Sequence, residues 1–286
     1  MKLVKYSMPG EGERMGRLVG DEIVPLISTA GQYQTLTDLL EADDPISVIE
    51  LLADPTAGCV SVDTVTLLPP IDQQEVWAAG VTYKRSRAAR MEESEGAAAC
   101  YDKVYEAARP ELFFKAMPYR VVGPDQPVRI RTDATWSVPE PELALVLNSR
   151  MQLVGFTIGN DMSSRDIEGE NPLYLPQAKV YNQSCALGPC ISLASAMPDR
   201  EKIGIHMAVL RKHAIAFEGR TTVGHMHRTF DDLIEHLGRD NTFRYGAILL
   251  TGTGIVPDED FKLRAGDIIN ITIDGIGTLV NQVAQG

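Results

Sequence analysis

From Leu112 to the C-terminus the chain is a succession of short apolar runs punctuated by Gly, Pro, Asn and Asp. Val128–Arg131, Leu143–Leu147, Leu153–Ile158, Ile205–Leu210, Ile248–Leu250 and Ile268–Ile273 are each of strand length and end at residues that turn the backbone. One helix is expected among them, Phe230–Leu237, with Thr229 as its N-cap. Strands that do not alternate regularly with helices exclude a doubly wound parallel sheet and call for a mainly β member of the α+β class.

The preceding third of the chain reads differently. Lys2–Tyr6, Arg17–Val19 and Glu22–Ile27 are strands set around the turns Pro9-Gly10-Glu11-Gly12 and Gly20-Asp21. Leu36–Leu52 has helical apolar spacing broken at Pro45, and Val65–Ile71 contains the diproline Pro69-Pro70. That diproline is the expected boundary between a small N-terminal α+β unit, residues 1–70, and a larger domain, residues 71–286. Residues 86–108, rich in Ala, Glu, Arg and Lys, suit a helix that stops at Arg109-Pro110.

Charge limits the partners. Lys and Arg total 27 against 39 Asp and Glu, a formal net charge of −12. Such an acidic chain is a poor match for nucleic acid or an anionic membrane surface, and an anionic substrate would have to meet a local cation. No segment approaches the ~18–20 apolar residues of a membrane span, and the N-terminus lacks a signal-peptide pattern. Cys59, Cys100, Cys185 and Cys190 have neither metal-ligand spacing nor disulfide-scaffold density, so reduced thiols and a cytoplasmic location are expected.

The chemistry concentrates between Ser137 and Asp166. Glu140 and Glu142 stand two apart at the start of an apolar strand, which puts both carboxylates on one face. Asp161 follows a second strand able to pair with the first as a hairpin. Three carboxylates on neighbouring strand ends make an oxygen-rich site for Mg²⁺, Mn²⁺ or Ca²⁺ rather than zinc. On spacing alone, a solvated strand face carries the same pattern. His225-Met-His227 also alternates, but without a third ligand nearby it reads as structural.

The ordered motifs Glu140-Pro-Glu142-Leu-Ala, Gly159-Asn160-Asp161-Met-Ser-Ser-Arg165-Asp166, Gln177-Ala-Lys179, Leu187-Gly-Pro189, Leu250-Thr251-Gly252-Thr253-Gly254 and Gly275-Ile-Gly277-Thr278-Leu279 resemble the fumarylacetoacetate hydrolase family. The resemblance spans Trp77 to Val283. It implies that family's β-sandwich roll and a dimer or larger homo-oligomer such as a tetramer. It further implies Mg²⁺ or Mn²⁺ held by Glu140, Glu142 and Asp161, an active-site Lys179, and Thr253 near the substrate carboxylate.

One departure redirects the expected activity. The hydrolases of the family carry a His and a Glu that activate water, and here Ser86 and Ala89 stand in those places. A hydroxyl without a partner base does not replace such a pair near neutral pH. Trp77-Ala-Ala-Gly80-Val-Thr-Tyr83, Ser86-Arg87-x-x-Arg90 and Arg109-Pro110-Glu111-Leu-Phe-x-Lys115 instead resemble the 2-keto-3-deoxy-D-arabinonate dehydratase branch. This implies loss of water from a 2-keto-3-deoxy-pentonate to give 2,5-dioxopentanoate, with Glu111 as acid–base residue. Arg87 and Arg90 would meet the sugar-acid hydroxyls if they face the pocket, and Ser86 either binds the substrate or only makes room for it. The metal would stabilise the enolate left when the C3 proton departs. Acylpyruvate hydrolysis or oxaloacetate decarboxylation at the same metal is the alternative reaction. A sugar-acid binding protein without turnover is the alternative of another class. Lys115 sits in a Phe-Phe-Lys strand from which a lysine can simply reach solvent.

Overall fold

The strand Pro141–Leu147 is buried along its whole length, and it organises the molecule. Leu143, Leu145 and Leu147 point into one apolar core, while Ala144 and Val146, on the opposite face, belong to another. A strand covered on both sides has no reason to alternate polar residues, which is why the sequence shows a continuous apolar run here.

In the computed structural model, which describes residues 1–27, 32–54, 56–93 and 103–286 (side chains of 89–93 excepted), this strand lies inside a 12-stranded sheet. It pairs antiparallel with Leu153–Asp161 on one side and Ala247–Leu250 on the other. Beyond these lie Cys185–Leu193 on the first side, then Glu75–Gly80 and Glu111–Ala116 on the second. A separate five-stranded sheet contains Gly204–Arg211, Ala214–Thr222, Ile268–Ile273, Gly277–Gln285 and Val128–Ile130. Its inward side chains Ile205, Met207, Val209, Ile269, Ile271 and Leu279 share the first core with Leu143 and Leu145. Two sheets packed through alternating side chains form a sandwich.

The N-terminal strands Lys2–Ser7, Glu13–Val19 and Glu22–Pro25 extend the large sheet, because Lys2–Ser7 pairs with Cys185–Leu193. The expected helical stretch divides at Pro45 into Leu36–Leu40 and Pro45–Leu52. Thr35 and Asp38 form a reciprocal capping box on the first helix; Asp44 caps the second ahead of its leading proline. Their buried Leu36, Leu39, Leu40 and Ile49 cover the Ala144/Val146 face. The helix Phe230–Gly238 is capped by Thr229, whose hydroxyl accepts from the Asp232 N–H. Of residues 86–108, the structure shows helix at Lys84–Glu93 and a helical turn at 103–106; Cys100 lies outside the described residues.

Candidate active site

Strand register gathers the acidic side chains. Glu142 pairs with Gly159 and Pro141 with Asn160, so one further step sets Asp161 against Glu140, where the Asp161 N–H donates to the Glu140 carbonyl (3.0 Å). One carboxylate oxygen from each of Glu140, Glu142 and Asp161 lies within 4.8 Å of the others. All three residues are buried.

Burying three like charges is costly unless cations accompany them. Lys179, at the end of the helix Leu175–Lys179, places its Nζ 2.6 Å from Glu140 Oε2 and 3.0 Å from Asp161 Oδ2. Arg165 Nη2 lies 3.0 Å from Glu140 Oε1, and Lys115 Nζ 2.5 Å from Asp161 Oδ1. The Gly252 N–H donates to Glu142 Oε2 (2.5 Å). Burial nevertheless pushes the Glu142 carboxyl well above the ordinary carboxylate value, and the neighbouring Asp161 and Glu140 push it the same way.

A row of backbone positions links this cluster to Glu111. Ala144 pairs with Leu250 and Leu250 with Ala78, so two residues further along Glu142 faces Gly252, and Gly252 neighbours Gly80. Gly80 pairs with Glu111, the first residue of its strand. A Cβ on Gly80 would lie 2.1 Å from Glu111 Oε2, so the carboxylate folds over the bare glycine. Gly80 and Gly252 line the cavity shared by Glu142 and Glu111, whose backbones are three strand spacings, roughly 14 Å, apart.

The expected site residues divide between this cavity and its surroundings. Glu111, Glu140, Glu142, Asp161, Lys179, Ser86 and Thr253 line one small cavity together with Gly80 and Gly252. The Ser86 hydroxyl donates to the Tyr83 carbonyl (2.8 Å), and that of Thr253 accepts from the Ile255 N–H (3.1 Å). Arg87 is not among the lining residues: its guanidinium lies over the Tyr105 ring, 4.9 Å from the centroid, and 3.6 Å from Glu106. Arg90 falls on the same helix, with its side chain outside the described residues. His227 also stacks on Tyr105, at 4.5 Å between ring centroids, and takes no part in the carboxylate cluster.

Four contributors escaped the sequence reading. Arg165 stood in a quoted motif without a role. Glu168, buried on the helix Arg165–Glu170, accepts from the Ser163 hydroxyl (2.9 Å) and lines the cavity. Phe113 shares the strand face of Glu111, and Lys179 Nζ lies 5.8 Å from its ring centroid. Lys115, far from reaching solvent, is fully buried. Alternation from Glu111 was the available signal for Phe113, because residues 111 and 113 share one face; at Lys115 the pairing slips, with Val76 opposite Ala116 and Trp77 opposite Phe114.

The donor set fits a hard divalent cation. Three convergent carboxylate oxygens are the ligands Mg²⁺ prefers, and no imidazole belongs to the cluster. The nearest thiol in the sheet, Cys185, pairs in register with Asp161, but burial pushes it up to about 12, so it offers no thiolate.

A β-sandwich that buries an acidic triad at one sheet end, with lysine and arginine beside it, defines a protein built to hold such a cation against an anionic ligand. Residues 75–284 match the fumarylacetoacetate hydrolase C-terminal family, and the chain belongs to that family. The "probable 2-keto-3-deoxyxylonate dehydratase" of Haloferax volcanii is 48% identical over 274 residues, covering 89% of this chain and 94% of that protein. The 2-dehydro-3-deoxy-D-arabinonate dehydratase of Saccharolobus solfataricus is 39% identical over 272 residues, covering 94% and 89%. A solved 2-keto-3-deoxy-D-arabinonate dehydratase, complexed with magnesium and 2,5-dioxopentanoate, has a TM-score of 0.83 and 33% identity, covering 100% of this chain and 99% of that one.

Proposed function

We propose that this chain is a magnesium-dependent hydro-lyase that removes water from a 2-keto-3-deoxy-pentonate of the arabinonate or xylonate type to give 2,5-dioxopentanoate. The observation that carries this reading is the shared cavity: the buried acidic triad and the Glu111 carboxylate line it together. It joins with the magnesium and 2,5-dioxopentanoate bound in the related dehydratase. Held by Glu140, Glu142 and Asp161, magnesium supplies Lewis-acid charge to the carboxylate and keto oxygens of a 2-keto acid.

The chain's own groups account for the proton movements. Anchored at the triad, a five-carbon acid runs along the glycines, which brings C3 and C4 toward Glu111. The Glu111 carboxylate takes a C3 proton and, as a carboxylic acid, returns it to the departing C4 hydroxyl, so that water leaves and a 3,4-unsaturated 5-hydroxy-2-keto acid remains; a proton then moves from C5 back to C3 and the C5 hydroxyl proton to C4, which turns the C5 alcohol into the aldehyde. Lys179 holds positive charge beside the oxygen on which negative charge grows. Ser86, Thr253 and Glu168 furnish polar groups for the substrate's oxygens, the carboxylate of Glu168 being suited to accept from a hydroxyl. Arg87 reaches a substrate only by leaving Tyr105 and Glu106. The absence of the water-activating His and Glu disfavours acylpyruvate hydrolysis.

The test is incubation of the purified protein and Mg²⁺ with 2-keto-3-deoxy-arabinonate and -xylonate, followed by detection of the aldehyde product. Metal bound without aldehyde formed would sink the proposal. Assembly as a homo-oligomer is part of the same reading, supported by the exposed Tyr119 and Tyr245 bordering one open groove.

A further inference from the structure

Lys115 is a lysine with no route to solvent. It has 0% exposure and sits two positions beyond Phe113, where the strand slips in register against Glu75–Gly80. Its ammonium donates to the Met162 carbonyl at 2.9 Å and the Lys179 carbonyl at 2.5 Å, and forms an ion pair with Asp161 Oδ1 at 2.5 Å. An ammonium has three protons to give. Two are given to the carbonyls, and the charge is set against the Asp161 carboxylate as an ion pair.

The three partners belong to separate pieces of the site. Asp161 ends its strand, Met162 follows it, and Lys179 ends the helix whose side chain spans Glu140 and Asp161. Ser184 adds a second donor to the Lys179 carbonyl (2.9 Å). Two ammonium groups therefore divide the Asp161 carboxylate, Lys115 on Oδ1 and Lys179 on Oδ2. Of the two, Oδ2 is the oxygen whose cation also lies against Glu140.

We infer that Lys115 is a positioning residue that reserves Asp161 Oδ1, so that Asp161 presents Oδ2 alone to the divalent cation while the Lys179 backbone stays tied to the same ammonium. This rests on the metal reading of the triad. A cation drawn to the triad displaces the Lys179 ammonium from Oδ2 and leaves the Lys115 contact in place. Lys115 thereby sets the angle of one ligand and the placement of Lys179 together, without touching substrate. Outer partners of metal ligands are worth about 10–100-fold in metal affinity or activity.

The decisive measurement needs no variant: a crystal structure of the wild-type protein with Mn²⁺, located by its anomalous signal. The expected result is one Asp161 oxygen on the ion and the other within hydrogen-bond distance of Lys115 Nζ. Both Asp161 oxygens on the ion, or Lys115 turned away, overturn the inference and leave the metal reading intact; no ion at the triad overturns both. In solution, Lys115→Met is expected to lower kcat by about 10–100-fold with KM for the keto acid changed less than about threefold, and Lys115→Arg to recover part of the loss. A lower melting temperature with unchanged kcat per metal-loaded chain would make Lys115 merely structural.

Discussion

Two carboxylates of the site illustrate opposite uses of burial. Glu111 is half-buried at the start of its strand and is proposed to work by exchanging a proton, so Glu111→Gln should cut kcat by about 10²–10⁴-fold while Mg²⁺ titration still saturates. An active Gln variant would remove Glu111 from the chemistry. Glu142 is buried beside two other acids and holds its proton to a higher pH than an exposed carboxyl. A raised carboxyl favours the metal-free fold at low pH, and that contribution is lost as pH climbs from the ordinary carboxylate value through the raised one. A cation ligand must lose the proton, so Mg²⁺ affinity should increase with pH across the same window, with proton release visible by calorimetry in buffers of different ionisation enthalpy. Affinity independent of pH there would contradict this account. At this scale the sequence was informative where spacing is local: Glu140 and Glu142 share a face because strands alternate. Lys115 was not legible, since Phe-Phe-Lys reads the same whether its amine ends in water or against Asp161, 46 positions further along the chain; only the tertiary contact tells them apart.

Among elements, the strand Glu75–Gly80 and its partner Glu111–Ala116 make the reach between triad and acid possible. Gly80→Ala places a methyl where Glu111 Oε2 now sits, and the obstacle is the movable end of a side chain rather than backbone. The expected outcome is a kcat at least about tenfold lower through displacement of Glu111, with a melting temperature close to wild type. A variant as active as wild type would mean the carboxylate does not need that position. By contrast, Leu145→Ala, in the strand covered on both faces, should cost about 2–5 kcal/mol in denaturant unfolding. Apolar runs and caps made the strands and the Phe230–Gly238 helix readable in advance. The pairing of Gly80 with Glu111 was hidden because it joins strands separated by a helix and a further connection, and nothing local encodes that register.

For the whole molecule, the position of the N-terminal strands decides what a truncated chain would do. Lys2–Ser7 is hydrogen-bonded to Cys185–Leu193, and Leu3 is buried with Leu187 and Ile191. Deleting residues 1–70 strips that strand and the helices covering Ala144 and Val146, leaving an open sheet edge beside an uncovered apolar face. The expected product is aggregated or unfolded protein by size-exclusion chromatography; a monodisperse, magnesium-binding fragment would show that residues 71–286 fold independently. The diproline was visible in the sequence, whereas the long-range pairing that carries the chain across it was not.

The strand Pro141–Leu147 has one more implication, for how such a protein changes over generations. It carries Glu142 and is shared by both cores, so it has no side on which substitutions are neutral. Drift there is penalised twice, once through packing and once through cation geometry, whereas the arm bearing Ser86 and Arg87 lies outside it. New substrate preferences in descendants of this scaffold should therefore accumulate in that arm, while the strand remains nearly frozen.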